Sequence, residues 1–230
     1  MSDVPTTTEK QPLFGVEEWE NHLHVTLDEA EIPPLPIPLE TLWNLPCPYH
    51  SSKTIKDTHI LTLIPANVHG QPFTIEVLQK IFQSLTLNLC DGSLSGGRLV
   101  NFANLPSVQA LQSATALAFP HTSRWILMTK NILPGTRGQS FSSQQSHLKG
   151  SYSIPTSLEA ILSIVGHYLV TSGTRLFSDT PYAYMRCQEL IQGGRAIIGG
   201  FSTHSGLFCG IDWIGDGEWI GTAYVFIRHS

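Results

Sequence analysis

Hydrophobic positions along the chain fall into two spacings. Ile75, Leu78, Ile81, Phe82 and Leu85 recur three and four apart behind Thr74, which predicts a helix with Thr74 as its N-cap. Leu158, Ile161, Leu162, Val165, Tyr168 and Leu169 form a similar stripe behind Thr156-Ser157-Leu158-Glu159, and the stripe stops before Gly173. There a hydroxyl stands three residues before a carboxylate, the spacing of a capping box. Short apolar runs without that period read as strands: His59–Ile64, closed by Pro65, then Arg124–Thr129, Ala196–Ile198, Leu207–Trp213 and Trp219–Arg228. Asp216-Gly217 lies between the last two runs and predicts a tight hairpin turn, so the C-terminus is expected to be an antiparallel meander. Tyr182–Ile191 reads as a further, shorter helix, and Phe102–Ala118, rich in Ala and Gln, as a helix of weak periodicity. Strands flank helices without regular alternation. That pattern defines an α+β fold, a single domain with a mixed or antiparallel sheet whose C-terminal β-meander packs against a few helices.

Proline and glycine punctuate these elements. Ile32-Pro33-Pro34-Leu35-Pro36-Ile37-Pro38 cannot form a ladder and reads as an extended strap laid over the body of the domain. A PxxP ligand from Pro33 to Pro36 is the sharper reading, but no Arg flanks it and the alternate apolar residues are placed for burial. Cys90–Gly97 is a Gly/Ser loop. The domain is expected to span residues 32–230. Residues 1–31 are expected to form an acidic, partly disordered arm, with Phe14 and Trp19 as its first anchors.

At 230 residues and 41% apolar, the chain can bury one substantial core. Its net charge of −5 hides an asymmetry: residues 1–115 carry −7 and residues 116–230 carry +2. Eight acids precede Ile32 against the single base Lys10. Nucleic-acid binding by bulk charge is thereby disfavoured, because neutralising a phosphate backbone needs a basic patch. No apolar run reaches membrane-spanning length, and Met1–Gln11 lacks the basic and apolar regions of a secretory signal. The expected location is cytoplasmic, or exported without a cleaved signal. Four scattered cysteines are too sparse for a disulfide scaffold.

No spacing matches a nucleotide loop or a nucleophile elbow, and no cofactor is expected. Cys47-Pro48-Tyr49-His50 supplies a thiolate and an imidazole at a spacing zinc tolerates, with His59 further on. Zinc needs four ligands and no second pair follows, so no metal site is expected. For an enzyme, the candidate nucleophile is Cys187, whose thiolate the neighbouring Arg186 would favour, with His204 as base and Asp212 as orienting acid. Such a constellation would serve a thiol-dependent hydrolase or transferase. The binding candidates are arginines. Pro134-Gly135-Thr136-Arg137-Gly138 could aim backbone amides and a guanidinium at an anion. Arg175 follows the end of the capped helix, and Arg186 and Glu189, three apart, would share one helix face. Apolar residues on both sides of the last strand mean either a central strand covered twice or a sheet face offered for oligomerisation.

Several segments resemble an uncharacterised family of proteins from chlamydia-related intracellular bacteria. They are Thr58–Pro65, Trp125–Lys130 with Pro134–Arg137, Ser172–Leu176, Arg186–Glu189 and Gly199-Gly200-Phe201. The resemblance covers about Ile32 to Arg228, and this chain has Thr136-Arg137 where the family continues with a Ser-Arg pair. It implies no activity. It implies a setting in which proteins are delivered into a host cell, some carrying this region beside interaction repeats. The expected function is therefore an effector-like interaction module that recognises a protein or anionic partner through loops bearing Arg137, Arg175 and Arg186.

Overall fold

The structure, a computed structural model, describes residues 11–85, 99–101, 122–178, 180–212 and 220–227. The Cys90–Gly97 loop, the Phe102–Ala118 helix and the Asp216-Gly217 turn expected from sequence lie outside them. Among the described residues six helices are formed: α1 (Val16–Leu23), α2 (Leu39–Asn44), α3 (Ile55–Thr58), α4 (Ile75–Ser84), α5 (Phe141–Ser146) and α6 (Ser157–Val170). The early strands are β1 (Leu13–Phe14), β2 (Pro46–Cys47), β3 (His50–Thr54), β4 (His59–Ile64), β5 (Asn67–Val68), β6 (Gln71–Pro72) and β7 (Val100–Asn101). The later ones are β8 (Arg124–Thr129), β9 (Tyr152–Ser153), β10 (Tyr184–Ile191), β11 (Gly194–Ser202), β12 (Gly206–Asp212), β13 (Ile220–Gly221) and β14 (Val225–Ile227). They make an α+β fold with two five-stranded mixed sheets, in the orders β1-β4-β8-β14-β9 and β13-β10-β11-β12-β7.

Helix α6 packs against strands of both sheets. All fourteen of its residues are buried. Because the helix is covered on every side, its six-residue stripe marks only part of the contact surface. Its start is the predicted capping box: Thr156 Oγ1 accepts the Glu159 N–H at 3.3 Å and Glu159 Oε2 accepts the Thr156 N–H at 2.8 Å. Glu159 also meets Arg124 at 2.9 Å, which pairs the buried carboxylate. Thr74 caps α4 as expected, accepting the Val77 N–H at 3.2 Å. The proline strap is also in place. Trp125 Nε1 donates to Pro33 O at 2.9 Å, and Leu35 and Ile37 join the cluster of Leu42 and Trp43 on α2 with Leu61 and Leu127 on the first sheet.

Residues 13–27, expected to belong to an arm outside the domain, are built into it. Strand β1 pairs in parallel with β4, and Trp19 is fully buried, donating its Nε1 proton to Leu63 O at 3.1 Å. Phe14 sits on α6 where Gly166 leaves room; a Cβ there would come 2.7 Å from its ring. The acids Glu17 and Glu20 take the solvent side of α1, so acidity and burial coexist on one short helix.

Two further expectations are corrected. Tyr182–Ile191 is not a helix: from Tyr184 onward it is β10, joined to β11 by Gln192-Gly193, both at positive φ (52° and 91°). Two successive left-handed residues are what a two-residue hairpin turn demands. The C-terminal meander is therefore β10-β11-β12. The run Trp219–Arg228 does not continue it as one strand. Its first part is β13, parallel to β10, and its second is β14, antiparallel to β8 and β9 in the other sheet.

Candidate functional site

The hairpin β10-β11 changes the meaning of the predicted binding residues. On a strand, residues three apart lie on opposite faces, so Arg186 and Glu189 separate. Glu189 turns inward and accepts the Ser157 N–H at 2.7 Å and its hydroxyl at 3.0 Å, capping α6 from a neighbouring strand. Burial pushes its carboxyl above the ordinary range. Arg186 takes the other face and is only 1% exposed. Its Nη2 donates to Asp212 Oδ2 at 2.9 Å, and its Nη1 donates to Gln139 O at 2.8 Å and Gln144 Oε1 at 3.1 Å. Such a guanidinium is a structural rivet, tying α5 and the preceding loop to the sheet. The Pro134–Gly138 loop is likewise committed: Thr136 is fully buried, with Oγ1 donating to Leu133 O at 2.8 Å. Arg137 is exposed, as are Pro134 and Gly135, and Arg175 lies half-buried over the Tyr168 ring at 5.6 Å.

The three residues of the thiol-enzyme reading do not meet. Cys187 is fully buried on the inner face of β10, and burial, reinforced by Glu189, pushes its thiol well above its ordinary value. That is the opposite of an activated thiolate. His204 sits exposed in the β11-β12 turn against Thr203. It follows the C-terminal end of β11, whereas Cys187 lies beside that strand's first half, so the two sit at opposite ends of the strand. Asp212 belongs to Arg186.

The Cys47–His50 segment leads to a different cluster. His59 is fully buried, its Nδ1 2.9 Å from Thr58 Oγ1 and its Nε2 3.0 Å from the Tyr152 hydroxyl. Thr58 spends its own proton on Thr54 O at 2.8 Å, so the imidazole must donate from Nδ1 and accept from Tyr152 at Nε2. Tyr49 stacks edge-on to Tyr152 at 5.2 Å, and Lys149 lies over Tyr49. A relay of this shape could activate a tyrosine, but the electrostatics oppose it. Burial, with Lys130 and His50 nearby, pushes His59 down to about 3, while burial pushes Tyr152 above 10. Moving the proton from phenol to imidazole is opposed at both ends. The chain of hydrogen bonds therefore locks β9 to β4. Among the described residues, no group of His, Cys, Asp or Glu is arranged to hold a metal ion.

A surface unclaimed by sequence reasoning lies beside Arg137. Tyr182 is 52% exposed and stacks on Tyr184, with centroids 6.0 Å apart and planes 10° from parallel. Phe208 meets Tyr184 edge-on at 5.6 Å. Tyr184, Gly199 and Phe208 share one row across three strands, so the rings project from one sheet face. Glycines let them lie flat: a Cβ on Gly200 would meet Tyr184 Oη at 2.7 Å, and one on Gly210 would meet the Phe208 ring at 2.6 Å. Arg137 Nη1 donates to Tyr182 O at 3.5 Å, which sets an exposed guanidinium at the edge of this aromatic platform. The available signal was Tyr182 and Tyr184 alternating across Ala183, with Phe208 between Gly206 and Gly210.

No family model matches the chain, and no match is found among curated proteins or solved structures. Among the described residues, no helix is long and apolar enough to cross a membrane.

Proposed function

We infer that the protein is a recognition module that binds a protein partner through the platform of Tyr182, Tyr184 and Phe208 and the adjoining Arg137. The observation that carries this reading is Tyr182, stacked on Tyr184 yet 52% exposed, beside the exposed residue Arg137. Tyr and Arg dominate binding hot spots because they combine large apolar area with directional donors, and prestacked rings lose little entropy on binding. This keeps the Arg-loop module expected from sequence but moves its centre: Arg137 stays, while Arg186 and Glu189 belong to the framework. An effector-like role in a host cell is the setting that such a module fits.

The thiol-enzyme alternative loses its support with the burial of Cys187. The oligomerisation alternative draws no support from Tyr224 and Val225, which are fully buried, or from Phe226, which packs into the cluster under the proline strap. The test is a comparison. Host-cell proteins are captured with the native chain and with an R137A/Y182A variant whose thermal unfolding is unchanged. The module predicts partners retained by the first and lost by the second; the same partners on both sinks the reading.

A further inference from the structure

Charge in this chain is distributed unevenly. Between Thr41 and Ile75 the only acid is Asp57, and between residues 122 and 158 there is none. The fold brings these two acid-poor stretches together. Strands β2 and β3 form a hairpin of their own, outside both five-stranded sheets, and α3 leads from it into β4. His59, the first residue of β4, pairs with Thr129, the last of β8, so Lys130 arrives beside α3. Its Nζ donates to Lys56 O at 2.8 Å and to Asp57 O at 3.3 Å. Lys149, ahead of β9, reaches the same hairpin: its N–H donates to Tyr49 Oη at 3.0 Å and its Nζ to Pro48 O at 2.7 Å. Lys53 stands exposed on β3. Four of the chain's six lysines gather here.

Lys53, Lys56, Lys130 and Lys149 surround one acid. Asp57 Oδ2 accepts the N–H and the hydroxyl of Thr54, each at 2.8 Å, and those bonds first, then Lys130 and Lys53, hold its carboxyl below the ordinary range. The next acid, Glu40, stands at the far end of α2. Four lysines against one carboxylate leave +3 on this face of a chain whose net charge is −5. Hydrocarbon lies beside the charge. Leu45 is 41% exposed, one of three large apolar side chains open to solvent among the described residues, and its carbonyl accepts the Ile55 N–H at 2.8 Å, next to Lys56. Pro46 and Pro48 are exposed on the same hairpin. The Tyr49 ring is engaged with Tyr152 and Tyr224, which takes it away from base stacking. Ammonium groups on flexible stems act as point charges, without the fixed fork that reads a single carboxylate or phosphate. An extended anionic surface suits them, and a bilayer also takes up the exposed hydrocarbon.

We propose that this face, the β2-β3 hairpin with Leu45, Lys53, Lys56, Lys130 and Lys149, docks the protein onto the surface of an anionic lipid bilayer. It is distinct from the aromatic platform, which stands on the other five-stranded sheet. Each lysine near such a surface raises the partition coefficient about fivefold, and the attraction is screened within about 8 Å in physiological salt. The test is co-sedimentation of the native chain with phosphatidylcholine vesicles, with and without phosphatidylserine. Binding is expected only where phosphatidylserine is present, and high salt should release it. A K53Q/K149Q variant with unchanged thermal unfolding should bind about 25-fold more weakly. K80Q, which removes a charge paired with Glu76 on α4, should bind like the native chain. L45S should weaken binding with no change in charge. Failure of the native chain to sediment with the phosphatidylserine vesicles, equal binding by K53Q/K149Q, or no effect of L45S overturns the proposal. So does a native chain that leaves the vesicles for an RNA homopolymer, which would make the face a polyanion site.

Discussion

Acidification should unfold this protein through two imidazoles. Burial holds His59 down to about 3 and His167 down to about 4, against 6.5 for an exposed ring. Because both folded values are depressed, the unfolded chain binds more protons below 6.5, and stability must fall as pH drops toward them. Between pH 7 and pH 5 each ring loses about 2 kcal/mol, so the pair removes about 4 kcal/mol from a total that for a domain is about 5–15 kcal/mol. Glu189, whose carboxyl burial raises, opposes this wherever the folded carboxyl has taken a proton while the unfolded one is still charged. The assay is urea unfolding at the two pH values, followed by the intrinsic fluorescence of the five tryptophans. His59→Gln should remove roughly half of the pH dependence, whatever it does to stability at pH 7. A change below about 1 kcal/mol in the native chain would show that the rings are not buried neutral, and the reasoning would fail.

Three further outcomes follow from the packing. Asp212→Ala leaves the Arg186 guanidinium buried without its carboxylate and should cost about 3–5 kcal/mol in urea unfolding, whereas Asp212→Asn, which keeps an acceptor, should cost less. Gly166→Ala drives a methyl into Phe14 and should cost about 1–3 kcal/mol while raising amide exchange in residues 13–23 more than in α4. Cys47, Cys187 and Cys209 are all buried, so iodoacetamide should leave all three unmodified in the native protein and alkylate them once urea unfolds it; fast native labelling of Cys187 would revive the enzyme reading.

The elements legible in the sequence were those whose pattern and neighbours agree. Thr156 and Glu159 announce α6, Thr74 announces α4, and the run from His59 to Pro65 announces β4, because local propensity and tertiary burial favour the same state there. Strand β10 was misread for a definite reason. Its inward positions are Met185, Cys187, Glu189 and Ile191, and its outward ones include Arg186. One carboxylate on the buried face and one guanidinium on the covered face blur the alternation that would have marked a strand. Both charges are paid for by partners distant in sequence, Ser157 for Glu189 and Asp212 with Gln144 for Arg186, and no local window contains them. The same logic misplaced the site. A sequence shows that an arginine is present, whereas whether it binds a partner or rivets the fold depends on what covers it. Arg137 and Arg186 differ in that respect alone: the segment bearing Arg137 is itself the cover that buries Arg186, so the recognition surface begins where the rivet ends. That coupling makes Gln144 the informative position, since Gln144→Ala should weaken the rivet and loosen the loop that carries Arg137 without touching the aromatic platform.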